Sequence, residues 1–382
     1  MPLSAPVVAP CPCSRGRCAK TSPIRPRWLG VLRETRPDVV IVSTVDHYHR
    51  EYIIRALHTG CDAITEKPMT IDAEKCRAVL AAERMTGRWV TVTFNSRLKP
   101  YNTRIKELLA AEAIGRVLAV ELACFLDKRH GADYFRRWHR RKENSAGLLV
   151  HEGSHLFDVV NWWLADQPRD VFAMGERRVY GPTRAARGER CSTCPYAATC
   201  EFYVDLTTDS AMQALYFQAE RQDGYQRDGC VFSPDIDIDD TVCAMVRYVG
   251  GALMTYSLVT YAPYEGWRLS LTGTGGRLEA HELQSGPGAE TPSQTIRLVR
   301  SDPRAGTHVV EEIEVPRPRG EQAVATNVCG TTCSPALRRP IRSATLPIRG
   351  PGRCPCWSEL QSIATGRCVT IEELLNEPVA VR

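Results

Sequence analysis

The sequence predicts an α/β fold: a partial parallel sheet first, then an α+β portion whose sheet is mostly antiparallel. Two observations carry this. "RPDVVIVST", residues 36–44, is a continuous β-branched run, as suits a strand buried on both faces of a parallel sheet. From Arg116 the rhythm changes to "RVLAVELACFL", "DTVCAMVRY", "ALMTYSLVTY" and "WRLSLTGTGGRLEAHE", where alternation and Gly-Gly turns are antiparallel signals.

Taken in order, "HREYIIRALHTG" after the first strand places Tyr52, Ile53, Ala56 and Leu57 at helical spacing and stops on Gly60. "CDAIT" is a second short strand, which closes a βαβ unit. "TIDAEKCRAVLAAERMTG" reads as a helix capped by Thr70, with Glu74 in its first turn and Gly87 past its end. "WVTVTFN" is a third strand and "YNTRIKELLAAEAIG" a further helix. "AGLLVHEGSHLFDVVNWWLAD", residues 146–166, reads as one helix packing through Val159, Val160, Trp163 and Leu164. The expected division is 1–33 irregular, 34–98 the parallel portion, 99–322 the α+β portion, 323–357 irregular and 358–382 a closing helix and tail.

The 382 residues suffice for two sizeable cores, and a formal charge of +5 spread over that length implies no nucleic-acid partner. No apolar run approaches the roughly 18 residues needed to span a bilayer, so a cytoplasmic protein without a membrane partner is expected. Seven of the 16 cysteines (Cys11, Cys13, Cys18, Cys329, Cys333, Cys354, Cys356) fall in residues 1–33 and 323–357, segments that share an acid-free, Pro- and Arg-rich composition. That shared composition points to one cause, out-of-frame or low-complexity sequence, rather than to a targeting peptide. "CSTCPYAATC" supplies Cys191, Cys194 and Cys200, with Cys230 thirty residues later. This spacing predicts a structural zinc or iron–sulfur site, against the alternative of unrelated reduced thiols.

Two groups carry candidate chemistry. Glu66-Lys67-Pro68 follows the second strand, at the edge where open α/β sheets bind ligands. His151 and His155, four apart, would share a helix face with Asp158. Three readings of the histidines stay open: an H-E-x-x-H zinc metallopeptidase helix with Glu152 as base, an acid/base role for His155 on a bound substrate, or a hydrogen-bonded pair without chemistry.

"DVVIVSTVDHYHREYIIRALHTGCDAITEKPMTI", then "FNSR", then "SAGLLVHEGSHLFDVVNWWL" together resemble the Gfo/Idh/MocA family of NAD(P)-dependent oxidoreductases. The similarity runs from about Pro37 to His281. It implies a Rossmann domain beside a second domain with a large open sheet, and hydride transfer between NAD or NADP and a sugar, cyclitol or related polyol. A homo-oligomer is the expected assembly. The resemblance further implies that Lys67 and His155 are the catalytic pair, with His151 beside them, and that Thr44, His49, Glu66, Lys67 and Asn95 lie along the cofactor. In such a reaction a near-neutral histidine suits the hydroxyl proton and a lysine the developing oxyanion.

The sequence departs from the family pattern twice. His151 stands where the family usually carries Asp, which leaves Asp158 and Glu152 as the carboxylates that could orient His155. No glycine-rich strand–turn–helix precedes Arg36, so a catalytically inactive, truncated family member is an alternative, with poor dinucleotide binding as its expected consequence.

Overall fold

The computed structural model describes residues 28–302, 304–317 and 362–376. The expectations for residues 1–27 and 323–357, including their seven cysteines, lie outside these residues. Residues 28–33, expected to be irregular, instead open helix α1 (Trp28–Thr35). Trp28 and Leu32 are one helical turn apart, and both find apolar partners. Leu32 is buried in the core beneath the parallel sheet, and the Trp28 ring lies 4.9 Å from that of Tyr52.

The parallel sheet has three strands in the order β1 (Val39–Val42), β2 (Asp62–Thr65), β3 (Val90–Val92). Its connections are α2 (His49–His58) and α3 (Ala73–Thr86). The α3 cap is Asp72, whose carboxylate accepts from the Lys75 N–H at 2.7 Å, rather than the expected Thr70. Asp has the shorter route to the free N–H groups of the first turn from this position. Val40 and Val42 are buried whereas Val39 and Ile41 are exposed. The β-branched run is therefore covered on one face only.

Helix α4 (Pro100–Ala110) leads into a nine-stranded sheet. Its strands are β4 (Val117–Asp127), β5 (Pro168–Glu176), β6 (Thr241–Tyr248), β7 (Leu253–Ala262), β8 (Gly266–Gly273), β9 (Gly276–Leu283), β10 (Ser293–Asp302), β11 (Thr307–Pro316) and β12 (Val369–Thr370). The order is β11-β10-β9-β8-β4-β7-β6-β5-β12, antiparallel throughout except for the β4–β7 pair. The short β12 and the helix after it (Ile371–Asn376) extend the β5 edge.

Strict alternation along β6 shows how the sequence places this sheet. Val242, Ala244, Val246 and Tyr248 face the core, and Cys243, Met245 and Arg247 face outward. The inner face is covered by α4 and by the histidine-bearing segment, with Tyr101, Ile105, Phe157, Val160 and Trp163 buried against the strands. Helix α5 (Lys128–Arg136) seats on β4 and β7.

Residues 146–166 are not one helix. They form α6 (Leu148–His151) and α7 (Gly153–Leu164), with the break at Glu152. The N–H of His155 bonds Glu152 O at 3.2 Å, a three-residue spacing that tightens the turn. Gly153 follows the break directly, and glycine is the weakest helix former after proline. The consequence is that His151 and His155 leave the segment in different surroundings.

Candidate active site

Three loops meet at the carboxyl ends of β1, β2 and β3, and α6 and α7 lie against them. His49 ties the first two loops together. Its ring is fully buried, with Nδ1 2.9 Å from Pro68 O and Nε2 3.0 Å from Thr44 O. Both ring nitrogens are thus committed to backbone, so His49 shapes the loops and presents no atom to a ligand. Thr44 turns its hydroxyl to Val45 O at 3.3 Å. Glu66 is exposed, and Asn95 is half-buried, its N–H bonded to Thr93 O at 2.9 Å.

Lys67 reaches across to α6. Its ammonium donates to the His151 carbonyl at 2.6 Å and lies 3.5 Å from the Glu152 carboxylate. His155 occupies the same crevice, its Nδ1 3.3 Å from Ser96 Oγ of the third loop. Burial and then the Lys67 charge depress the His155 imidazole to about 3. At neutral pH the ring is therefore neutral, with a lone pair available to accept a proton.

Neither carboxylate expected to orient His155 does so. Asp158 forms a bidentate pair with Arg97, at 2.7 Å and 2.6 Å, which fastens α7 to the third loop. Glu152 faces Lys67 and accepts the Tyr134 hydroxyl at 2.9 Å. The hydroxyl of Ser96 serves His155 instead.

His151 meets a carboxylate that sequence reasoning missed. Its Nδ1 lies 2.6 Å from Asp46 Oδ2, a contact between residues 105 apart in sequence, with both side chains nearly excluded from water. Burial pushes the Asp46 carboxyl up to about 7, against the opposing His49 and Lys67 charges. Burial and the Lys67 charge hold His151 well below its ordinary range. Both shifts have the same cause and both favour a net-neutral pair. The His139, Trp138 and Tyr134 rings pack around His151. Asp46 lies four residues past the end of the first strand, and that position was the only signal it offered. Tyr134 and His130 carried none, because the segment 128–141 has no clear period.

Two expectations about metals need correction. Among the described residues no group of three or more His, Cys, Asp or Glu side chains converges to hold an ion. Cys191 is buried and accepts from Arg136 Nη1 at 3.3 Å, while Cys194 and Cys200 are partly exposed. The Cys191, Cys194, Cys200 and Cys230 thiols are therefore unlinked, and the zinc expectation is withdrawn: C-x2-C spacing sets the order of ligands along the chain but not their convergence. The metallopeptidase reading fails in the same way. His151 is engaged by Asp46, His155 by Ser96, and Glu152 by Lys67 and Tyr134.

Comparison with known proteins agrees with this architecture. A family model described as the oxidoreductase family, NAD-binding Rossmann fold, matches residues 23–94, and one for the GFO/IDH/MocA C-terminal domain matches residues 102–279. The chain is 41% identical over 266 residues to YteT of Bacillus subtilis, named as an oxidoreductase, covering 66% of this chain and 62% of that protein. It is 28% identical over 136 residues to an inositol 2-dehydrogenase of Rhizobium meliloti, covering 36% of this chain and 39% of the relative. Among solved structures, the NAD binding oxidoreductase from Klebsiella pneumoniae aligns with a TM-score of 0.63 at 15% identity, over 90% of this chain and 82% of that one. A levoglucosan dehydrogenase in complex with NADH and L-sorbose gives 0.62 at 15%, over 90% and 82%. The chain thus spans less than two thirds of the length of these curated relatives. Both portions of the chain match the same family in the same order, on a three-stranded parallel sheet joined to a large mixed one, and the protein belongs to the Gfo/Idh/MocA oxidoreductases.

Proposed function

We propose that the protein transfers a hydride between NAD or NADP and a carbinol carbon of a sugar, cyclitol or related polyol. In this reading the cofactor portion ends near residue 98 and the substrate portion follows it. The observation that carries the proposal is that Lys67, at the carboxyl edge of the parallel sheet, bonds the backbone of His151 one turn before His155, and that its charge acts on the His155 imidazole, although 88 positions separate Lys67 and His155 in sequence. The residues present fit the nicotinamide end of a dinucleotide. Loops from three adjacent parallel strands converge there, and His47 Nδ1 on the first of them is buried without a partner. Bound NAD(P) supplies the hydride acceptor or donor. No glycine lies between β1 and α2 or between β2 and α3 to let backbone approach a pyrophosphate, so the described residues favour binding at that one end.

In the oxidative direction the substrate hydroxyl gives its proton to the neutral His155 as the carbonyl forms. Ser96 holds the ring through Nδ1, which leaves Nε2 to face the substrate. Lys67, fixed by the His151 carbonyl, donates to the same oxygen and stabilises the negative charge that develops there. Asp46 and His151 sit behind Lys67 and set the position of the carbonyl that anchors it. The names of the inositol and levoglucosan dehydrogenases support the polyol substrate class. The test is spectrophotometric: NAD and NADP reduction by the purified chain over a panel of inositols, aldoses and anhydrosugars. Turnover of at least one polyol, lost in His155→Ala, is expected. A chain that binds reduced nicotinamide but oxidises none of the panel would overturn the substrate class.

A further inference from the structure

We infer that Glu152, steered by Tyr134, is the positioning residue that acts as counter-ion to Lys67 and aims its ammonium into the crevice. The inference rests on the reading of Lys67 given above. It starts from Glu152, the residue between α6 and α7. The Glu152 carboxylate lies 3.5 Å from Lys67 Nζ, while the His151 carbonyl takes another ammonium proton at 2.6 Å. Tyr134, buried on α5, donates its hydroxyl to the same carboxylate oxygen at 2.9 Å and so fixes the side chain. The ammonium has three protons, and these two contacts leave one for a substrate oxygen.

The surrounding charges single out Glu152. Lys67 is faced by Asp46 from the first loop, by His139, and by His151, Glu152 and His155. Only Asp46 and Glu152 among these can be negative. Asp46 is pushed up to about 7 and shares its proton with His151. Burial opposes ionisation of Glu152, but the Lys67 ammonium at 3.5 Å favours it, and the carboxyl is held well below its ordinary range. At neutral pH Glu152 is thus the group that reliably carries the charge opposite Lys67. His130, which feels that charge, is itself bound to Glu265 at 3.0 Å on the outer side of Tyr134.

The test reads Lys67 directly, without substrate or cofactor. The full chain is labelled with an amine-selective reagent over a range of pH, and the Lys67 peptide is quantified by mass spectrometry. In Glu152→Gln the ammonium loses its charged partner, so Lys67 labelling near pH 8 should rise about tenfold. Tyr134→Phe should give a smaller rise, and Glu152→Asp should fall between wild type and Glu152→Gln. Unchanged Lys67 labelling in folded Glu152→Gln overturns the inference. If that variant does not fold, Tyr134→Phe decides, and labelling equal to wild type overturns it there. A labelling change in a chain that oxidises no polyol leaves the counter-ion role standing and removes the proposed substrate class. Turnover with unchanged labelling does the reverse.

Discussion

Gly131 on α5 offers a sharp test of how the large sheet positions the site. The helix seats on β7 at this residue, and a methyl group added there would lie 1.8 Å from Thr260 O and 2.7 Å from the Thr260 carbonyl carbon. A carbon and a backbone oxygen need about 3.3 Å, so Gly131→Ala forces α5 and β7 apart by roughly 1.5 Å. Overpacking of this kind costs about 1–3 kcal/mol, offset by up to about 1 kcal/mol because Ala is the better helix former. The net expectation is a loss of roughly 1–2 kcal/mol. Tyr134 lies one turn along the same helix, and a 1.5 Å displacement would break its 2.9 Å bond to Glu152. Misplacement by about 1 Å can cost about a hundredfold in rate. Urea unfolding should therefore show a lower midpoint at unchanged slope, and turnover should fall at least tenfold. A variant as stable and as active as wild type would show that α5 does not seat on Thr260 as described and would undo the route from the sheet to Lys67.

Three further expectations concern the loops. Lys67→Ala and His155→Ala should each lower turnover by roughly 10²–10⁴-fold, and His155→Ala should leave reduced-nicotinamide fluorescence titrations near wild type; loss of cofactor binding alone in His155→Ala would reassign that residue. Arg97→Ala leaves the Asp158 carboxylate, 3% exposed on its side chain, without its bidentate partner, and should cost about 3–5 kcal/mol in chemical denaturation; a loss under 1 kcal/mol would show that the pair contributes little. The Asp46 carboxyl is raised in the folded state, so the folded chain holds a proton that the unfolded chain releases as pH climbs from about 4 to about 7. Stability relative to Asp46→Asn should then decline over that window, and parallel pH curves for the two proteins would contradict the protonated pair.

Local pattern was enough for much of this molecule. The β-branched run at 36–44, the helix stop at Gly60 and the alternation of "DTVCAMVRY" each encode an element whose geometry depends on near neighbours. The E-K-P turn announced Lys67 because an ordered run of motifs fixed its place at a strand's carboxyl end. What failed was judged from spacing without partners. Cys191, Cys194, Cys200 and Cys230 had ligand spacing and no convergence. His151 and His155 had helical spacing, but the helix breaks between them.

The sequence by itself determined the two-sheet architecture and the family, because strands, helices and motifs are written in short periods and short words. Only the tertiary structure decided who serves whom in the site. Asp46 answers His151 across 105 positions, Arg97 claims Asp158 across 61, and Lys67 reaches the His151 carbonyl across 84. Which acid meets which base depends on how two sheets and a broken helix bring distant loops together, and on burial that raises one carboxyl while a neighbouring ammonium lowers another. None of those quantities has a period along the chain.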